Sequence, residues 1–467
     1  MEQMRFTGDP LVDLGGLVIN TLPEKSIEEK IRFVTDIYVD KWKGKINAVF
    51  LHSKITTIHA SGKSKRQRED SLKYYLGVLK NEGYISEGYC RICAQRGFLF
   101  RAGRDNYPLS GSGDFVNFHH SHEEGLLLCR DCLIKLYFVP MGVLQCAGNL
   151  MLVQIQNKYT WQLWQEDVIK NNLDKIFVGS SDGILSSNLL NPHNALFYFA
   201  ANLIRKFELF DIPSQRLRLF YFTNFATNPN VDIHDLPNNV FSFLKRVLKP
   251  DLRPAWLYFV KRHYRFSKRR HIHFDKETKE WIEVKKKEAA SLDIQDYEGT
   301  NSNTIYEYLL SGRSILAALC RMHKSEKFPV LIAIIYLREV KKMRQEQIDL
   351  IQKISDKIIA LCQKEGNFKK YITPIEGTRY AYELRAAILR LVKTHYKDGE
   401  PEPFVRLKDY IEYLFPDGQS WYEVRDFLLI SLYEKLHDLR IDPTQISDEE
   451  RSDINDKETN FIEAFNQ

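Results

Sequence analysis

The chain has 467 residues, with 67 Lys/Arg against 61 Asp/Glu for a net charge of +6, and a 44% hydrophobic, 12% aromatic composition that is globular and has room for two or three ordinary domains. No stretch reaches the roughly 18 consecutive apolar residues of a spanning helix, and the first ten residues, with Glu2, Arg5 and Asp9, do not follow the basic-then-apolar order of an export signal. A membrane partner is therefore not expected. Seven cysteines, four in two Cys-x-x-Cys pairs and three (Cys146, Cys320, Cys362) alone among apolar neighbours, are the usage of a reducing compartment, and a cytoplasmic location is expected.

In chain order, Asp9-Pro10 reads as an N-cap followed by proline at the first helical position, opening a short helix through Leu11, Leu14 and Val18. Ser26 and Glu29 form a capping box, and the helix they open carries Ile27, Ile31, Val34, Ile37 and Tyr38 on one face. The branched and aromatic run 47–58 reads as strand. A basic knot, Lys63, Lys65, Arg66 and Arg68, leads into a helix that ends near Asn81-Glu82-Gly83. Residues 84–146 form a separate block that holds the cysteine pairs and, between them, a glycine-rich loop over 101–118. Residues 216–223 alternate as a strand, with turn signals at Asn228-Pro229-Asn230, and 240–248 reads as a short helix. From about Asn301 long helical patterns take over. Leu337, Val340, Met343, Ile348, Ile351, Ile354, Ile358 and Leu361 recur at helical spacing between Pro329 and Gly366, which predicts one helix about 50 Å long. Leu384, Ile388, Leu391 and His395, then Trp421, Val424, Leu428, Leu432 and Leu436, mark further helices of an antiparallel bundle. Residues 442–463 carry 8 acids against 2 bases. The expected architecture is α+β: a mixed N-terminal domain over 1–295 with a four-cysteine zinc-binding insertion at about 84–146 and a basic block at 245–287, a C-terminal α-helical bundle over 300–441, and an acidic tail over 442–467.

Cys90-Arg91-Ile92-Cys93 and Cys129-Arg130-Asp131-Cys132 have the spacing that lets both thiolates of a pair reach one metal. Two such pairs complete a tetrahedral four-sulfur shell, which suits structural Zn2+ and leaves no open position for chemistry. The 35 residues between the pairs are no obstacle, since each doubling of a loop costs only about 0.6 kcal/mol. Arg91, Arg96 and Arg130 favour the thiolate forms. Packed or redox-active thiols are the other reading, and His119, His120 and His122 are rival ligands that four cysteines make unnecessary. His122-Glu123-Glu124 before Cys129-x-x-Cys132 resembles a zinc-deaminase signature. Only four residues separate the two motifs and Leu128 stands in the place of the proline, so that reading is rejected.

The positive charge is segregated. Residues 245–287 hold 15 Lys/Arg against 5 Asp/Glu, a local excess larger than the net charge of the whole chain. Within this block Trp256, Tyr258, Phe259, Tyr264 and Phe266 alternate with Lys261, Arg262, Arg265, Lys268, Arg269 and Arg270. Cations neutralise phosphates and exposed rings stack on unpaired bases; a strand or hairpin with a solvated basic face and buried rings, or an acidic protein partner, is the competing reading. In the glycine-rich loop, Arg101, Arg104, Asn106 and Asn117 are residue types that read base edges, an ordinary polar excursion beside the metal being the other reading. His234-Asp235 and His437-Asp438 lack the additional spaced ligands of a phosphohydrolase, and no phosphate-binding loop, nucleophile elbow or zinc-protease helix motif occurs. The chain is not expected to be an enzyme.

The opening Phe6-Thr7-Gly8-Asp9-Pro10-Leu11-Val12-Asp13-Leu14-Gly15, the paired Cys-x-x-Cys motifs and the helical C-terminal region together resemble the large subunit of type I CRISPR Cascade complexes, the type I-B branch in particular. The resemblance implies a non-catalytic subunit of a crRNA-guided antiviral DNA-surveillance complex. Its N-terminal domain would recognise the PAM and aid duplex opening, and its helical domain would stabilise the R-loop by supporting the guide–target duplex and displaced strand. The implied partners are crRNA and target double-stranded DNA, the backbone and small Cascade subunits, and a recruited helicase-nuclease or, in transposon-associated relatives, a transposition protein. An internal start at Met322 or Met343 would supply a separate small subunit. On this reading the loop from Arg104 to Asn117 and the knot from Lys63 to Arg68 face the PAM, and the block from Lys261 to Arg270 grips phosphates. The alternative is a zinc-ribbon scaffold or regulatory protein that binds a protein partner.

Overall fold

The computed structural model describes residues 6–51, 53–56, 63–108, 116–117, 123–210, 216–224, 230–267, 271–285, 288–397, 402–415 and 420–446. They fall into two units, the first drawn from Met1–Leu248 and Val260–Leu310, the second from Lys249–Phe259 and Ser311–Gln467. The chain is α+β: four small antiparallel sheets lie among the described residues of the first unit, and those of the second form helices without strands.

Helix α1 (Pro10–Thr21) begins as its sequence dictates, with the Asp9 carboxylate accepting from the Leu11 and Val12 N–H groups at 3.0 and 2.8 Å. The residues ahead of it are held by α1 itself. Asp13, only 4% exposed, accepts from Thr7 N, Thr7 Oγ1 and Gly8 N at 2.7, 2.8 and 3.0 Å. The string Thr7-Gly8-Asp9-Pro10 to Asp13 is thus a reciprocal helix start: Asp9 satisfies N–H groups that the helix terminus leaves open, and Asp13 reaches back to those of the residues ahead of it. Helix α2 (Ile27–Asp36) opens on the Ser26–Glu29 capping box and widens into a π-type turn over Ile37–Lys41. The expected strand at 47–58 is not formed among the described residues. Val49 N and Phe50 N donate to Ile46 O, Thr56 N donates to Ser53 O, and Ile46, Val49, Phe50 and Ile55 are buried plugs on successive turns. β-branched composition reflects burial here, with no neighbouring strand among the described residues to pair with.

Helix α3 (Lys63–Leu79) starts at the basic knot itself. Strands β1 (Ser86–Tyr89) and β2 (Arg96–Ala102) are followed by a short pair, β3 (Val116–Asn117) with β4 (Glu123–Glu124), and then by β5 (Leu126–Cys129), which completes the sheet β1-β2-β5 and runs straight into α4 (Arg130–Tyr137). Tyr38, Tyr75 and Tyr137 lock this part together. The rings of Tyr75 and Tyr137 stack at 3.8 Å and Tyr38 OH donates to Tyr137 O at 2.9 Å. Next come β6 (Leu144–Cys146), β7 (Asn149–Val153), α5 (Lys158–Trp164), α6 (Asn171–Phe177), α7 (Pro192–Lys206), β8 (Leu217–Thr223) and β9 (Asn230–Leu236). The strands form one sheet in the order β6-β7-β8-β9. Strand β8 matches the alternation read at 216–223, and α8 (Asn238–Val247) the helix read at 240–248. Helix α9 (Arg253–Lys261) leads to a three-stranded meander, β10 (Ile272–Asp275), β11 (Glu280–Lys285) and β12 (Glu288–Ser291), then α10 (Ile294–Tyr297) and α11 (Thr304–Ser311).

In the second unit α12 (Leu316–Ser325), α13 (Val330–Glu339), α14 (Gln345–Glu365), α15 (Phe368–Glu376), α16 (Ala381–Lys397) and the short α17 (Leu407–Asp409) precede α18 (Trp421–Asp438). Helix α18 is buried around most of its circumference and touches α12, α13, α14, α15 and α16. The single 50 Å helix expected after Pro329 is two helices. The chain breaks at 340–344, where Lys342 takes a left-handed conformation (φ +57°) and Lys341 Nζ lies 2.8 Å from the largely buried Glu423 carboxylate of α18. Leu337 and Met343 are buried on either side of the break, which is why the apolar period ran through it unmarked.

Within this unit His323 is fully buried, and neither ring nitrogen has a hydrogen-bond partner. Burial, reinforced by the nearby His437, lowers its pKa to about 3. The unfolded chain takes up a proton near pH 6.5 and the native state does not. Stability is therefore present above pH 6.5 and falls as pH drops toward 3. His323→Leu should flatten that limb relative to wild type, by on the order of 3 kcal/mol at pH 4, read from urea midpoints between pH 7 and 4.

Candidate metal centre and basic surfaces

The four cysteines at 90, 93, 129 and 132 converge, all four Sγ atoms lying within 4.8 Å of one another. Cys93 Sγ and Cys129 Sγ are 3.6 Å apart. The first pair sits on a knuckle after β1. Cys90 N donates to Gln95 O at 2.9 Å and Ala94 N to Cys90 O at 3.0 Å, a tight reversal that places Ala94 at φ +57°. Glycine would occupy that left-handed position without strain, so a sequence search for a Gly-marked knuckle passes over it. Arg91 N donates to Leu127 O at 3.0 Å and ties the knuckle to β5. The second pair belongs to the strand–helix junction: Cys129 ends β5 opposite Leu99 of β2 and caps α4, and Cys132 lies in the first helical turn.

Cys90 and Cys132 are 3% and 2% exposed, and the other two are half-buried. Thiol hydrogen bonds from Cys129 and Cys132 hold the Cys90 thiol far below its ordinary range. Its hydrogen bonds with Cys129 and Cys90, together with burial, push Cys132 far above it. Thiolates this close repel one another, and holding several of them deprotonated together takes a cation among them. The arrangement is a possible metal site built wholly of sulfur donors. The rival ligands His119, His120 and His122 lie outside the described residues.

The basic candidates differ in exposure and in how far the fold engages them. Lys63 opens α3, but its side chain lies outside the described residues. Lys65 and Arg66 are exposed, opposite Glu69 and Asp70 one turn on at 3.9 and 3.6 Å, contacts worth little in water. Arg68 is committed to the fold: its guanidinium reaches Asp36 at 2.9 Å and Asp40, stapling α3 to α2 and the π-type turn, which raises its pKa. Arg101 is exposed on β2, and Arg104 is half-buried in the turn that follows. Asn106 does not present its amide to a ligand. It is 2% exposed, its Oδ1 accepts from Gly103 N at 3.0 Å and its Nδ2 donates to Tyr74 OH at 3.1 Å, closing the turn. Tyr107 OH donates to Asp9, anchoring the start of the loop on the cap of α1. Nothing in the sequence singled out Tyr107. Asn117 lies on β3 with its side chain outside the described residues.

In the basic block Lys261 pairs with Glu280 of β11, and Trp281 Nε1 donates to the Lys261 carbonyl at 2.7 Å. The Arg262 guanidinium lies 5.6 Å from the centre of the Phe274 ring. Arg265 donates from Nε to Thr304 Oγ1 at 2.9 Å and approaches Glu307 at 3.1 Å. Lys268, Arg269 and Arg270 lie outside the described residues. Most of the interleaved rings are turned inward, and Tyr258, half-buried, donates from its hydroxyl to Glu326 at 3.0 Å. Trp256, Phe259 and Tyr264 are buried, and Phe266 packs on Trp281 at 4.6 Å. The strand or hairpin of the competing reading is formed only from β10 onward, and Trp256, Tyr258 and Phe259 stand on helix α9. No described helix is long and apolar enough to cross a membrane. Comparison with protein-family models, with curated proteins and with solved structures finds no match to this chain.

Proposed function

We propose that the chain is a non-catalytic, zinc-braced nucleic-acid-binding subunit, specifically the large subunit of a crRNA-guided DNA-surveillance complex that recognises the PAM, aids duplex opening and recruits a downstream effector. The observation that carries the reading is the four-sulfur cluster. Zinc–sulfur bonds of about 2.3 Å in a tetrahedron place sulfurs about 3.8 Å apart, close to the 3.6 Å between Cys93 and Cys129, and a closed shell of four thiolates is structural. Bound there, zinc would hold β1, β5 and α4 as one piece, and the exposed Arg101 stands on the β2 strand between β1 and β5. The specific assignment rests on the likeness of the opening string and the cysteine pairs to type I CRISPR large subunits.

The engaged cations and buried rings of the 245–287 block favour a second reading, a zinc-ribbon scaffold for an acidic protein. Duplex affinity against salt separates the two. A DNA-binding subunit should lose affinity steeply with salt, and changing Lys65, Arg66, Arg101 and Arg104 together to Gln should lower the slope of log K against log salt by about 0.9 for each phosphate that is no longer neutralised. A slope near zero in the wild-type chain, or one unmoved by the four substitutions, rules out the assignment of these residues.

A further inference from the structure

Helix α16 buries Leu384, Ala387, Ile388 and Leu391 and turns a second apolar line to solvent. Tyr382, Leu389 and Tyr396 are 66%, 50% and 84% exposed. Their seven-residue spacing is close to two helical turns, so the three lie along one stripe about 21 Å long. Arg390, Lys393 and Lys397 flank the stripe, all exposed, and none pairs with a carboxylate among the described residues. Glu383, which accepts from Tyr382 OH at 3.4 Å, is the one carboxylate of α16, and an apolar stripe bordered mainly by cations fits an acidic amphipathic segment.

The chain carries such a segment. Residues 447–467, outside the described ones, hold seven acids against Arg451 and Lys457. Ile454 and Phe461 are spaced by seven, and Phe465 lies four further on, so a helix through them would put the three on one face. The described chain ends at Ile446, whose carbonyl accepts from Thr373 Oγ1 of α15 at 3.4 Å, and α15 packs against α16. Eight extended residues reach about 27 Å, and α16 is about 25 Å long, so reach does not forbid contact. Leu389 at the centre of the stripe matches an apolar side chain better than a stacked base.

We propose that the acidic segment 447–467 docks in cis along α16, with Ile454 and Phe461 against Leu389 and the two tyrosines, and its carboxylates facing Arg390, Lys393 and Lys397. The test uses the full chain with photo-reactive benzoylphenylalanine in place of Phe461 or, separately, Ile454. The expected cross-links fall on residues 386–397 of the same molecule, with a yield independent of protein concentration. That yield should drop about tenfold or more in Arg390→Glu/Lys393→Glu, or in about 1 M salt, where screening acts within about 3 Å. Both substitutions are on exposed side chains, and an unchanged thermal melt verifies the fold. Cross-links elsewhere, cross-links only between copies, none from either position, or a yield indifferent to the charge reversal would each overturn the proposal.

Discussion

Cys132→Ser is expected to release one zinc equivalent per chain and to lower the stability of the first unit by about 5 kcal/mol or more. Structural zinc bound to four thiolates carries apparent free energies of about 10–16 kcal/mol, and because the unfolded chain does not preform the site, much of that is folding free energy. Cys132 is 2% exposed and sits in the first turn of α4, so its loss disconnects the strand–helix junction from the knuckle at Cys90. A buried Ser hydroxyl alone costs only about 1–3 kcal/mol, and a chelator separates the two effects. Wild type should lose roughly 10–20 °C of melting temperature on chelation, whereas Cys132→Ser, already metal-free, should lose nothing more. Cys146→Ser, at an isolated buried thiol, should keep its metal and its response to the chelator. Metal analysis of purified chains together with the paired melts checks this. A Cys132→Ser chain that retains zinc, or a wild-type melt that ignores chelation, would remove the basis of the metal centre.

What the sequence made legible was local chemistry with a fixed register. Asp9 and Ser26 cap the helices they precede, because a side-chain oxygen two or three residues from an open N–H can do little else. Four cysteines in two pairs meet, because their spacing leaves few other uses. What it concealed depended on long-range neighbours. The run at 47–58 has strand composition, but Val49, Phe50 and Ile55 are buried on turns. The break at 340–344 carries no Gly or Pro, and Lys341 turns aside to meet Glu423, which is 82 residues away in the chain. Asn106 and Arg68 have the residue types of a nucleic-acid contact but spend them on Gly103, Tyr74, Asp36 and Asp40. A cation or amide in a sequence advertises a hydrogen bond, and only the fold shows whether the partner is already present.

Two adjacent glycines should respond to alanine with opposite signs, because they face different atoms. A Cβ on Gly15 would lie 1.9 Å from the Lys135 carbonyl oxygen of α4, more than 1 Å inside the 3.0 Å floor for such contacts. The obstacle is backbone, so no rotamer change relieves it. Helices α1 and α4 must separate, which exposes part of the face formed by Leu11, Val12, Leu14 and Val18, all buried. Gly15→Ala should cost at least about 3 kcal/mol, the upper end of overpacking penalties. At Gly16 the nearest atom is Cε of the flexible Lys135 side chain, at 3.5 Å. There alanine meets ordinary contact and brings its better helix propensity, a gain of up to about 1 kcal/mol. Denaturant midpoints of the two variants, measured against wild type, check the pair. The Gly15 variant should also bind zinc more weakly, because α4 carries Cys132 and directly follows Cys129, and a helix pushed off its seat brings two of the four sulfurs with it. Equal stability of the two variants would mean that α1 does not seat on α4 at Gly15, and the reciprocal cap built around Asp9 and Asp13 would then have no close-packed helix to position.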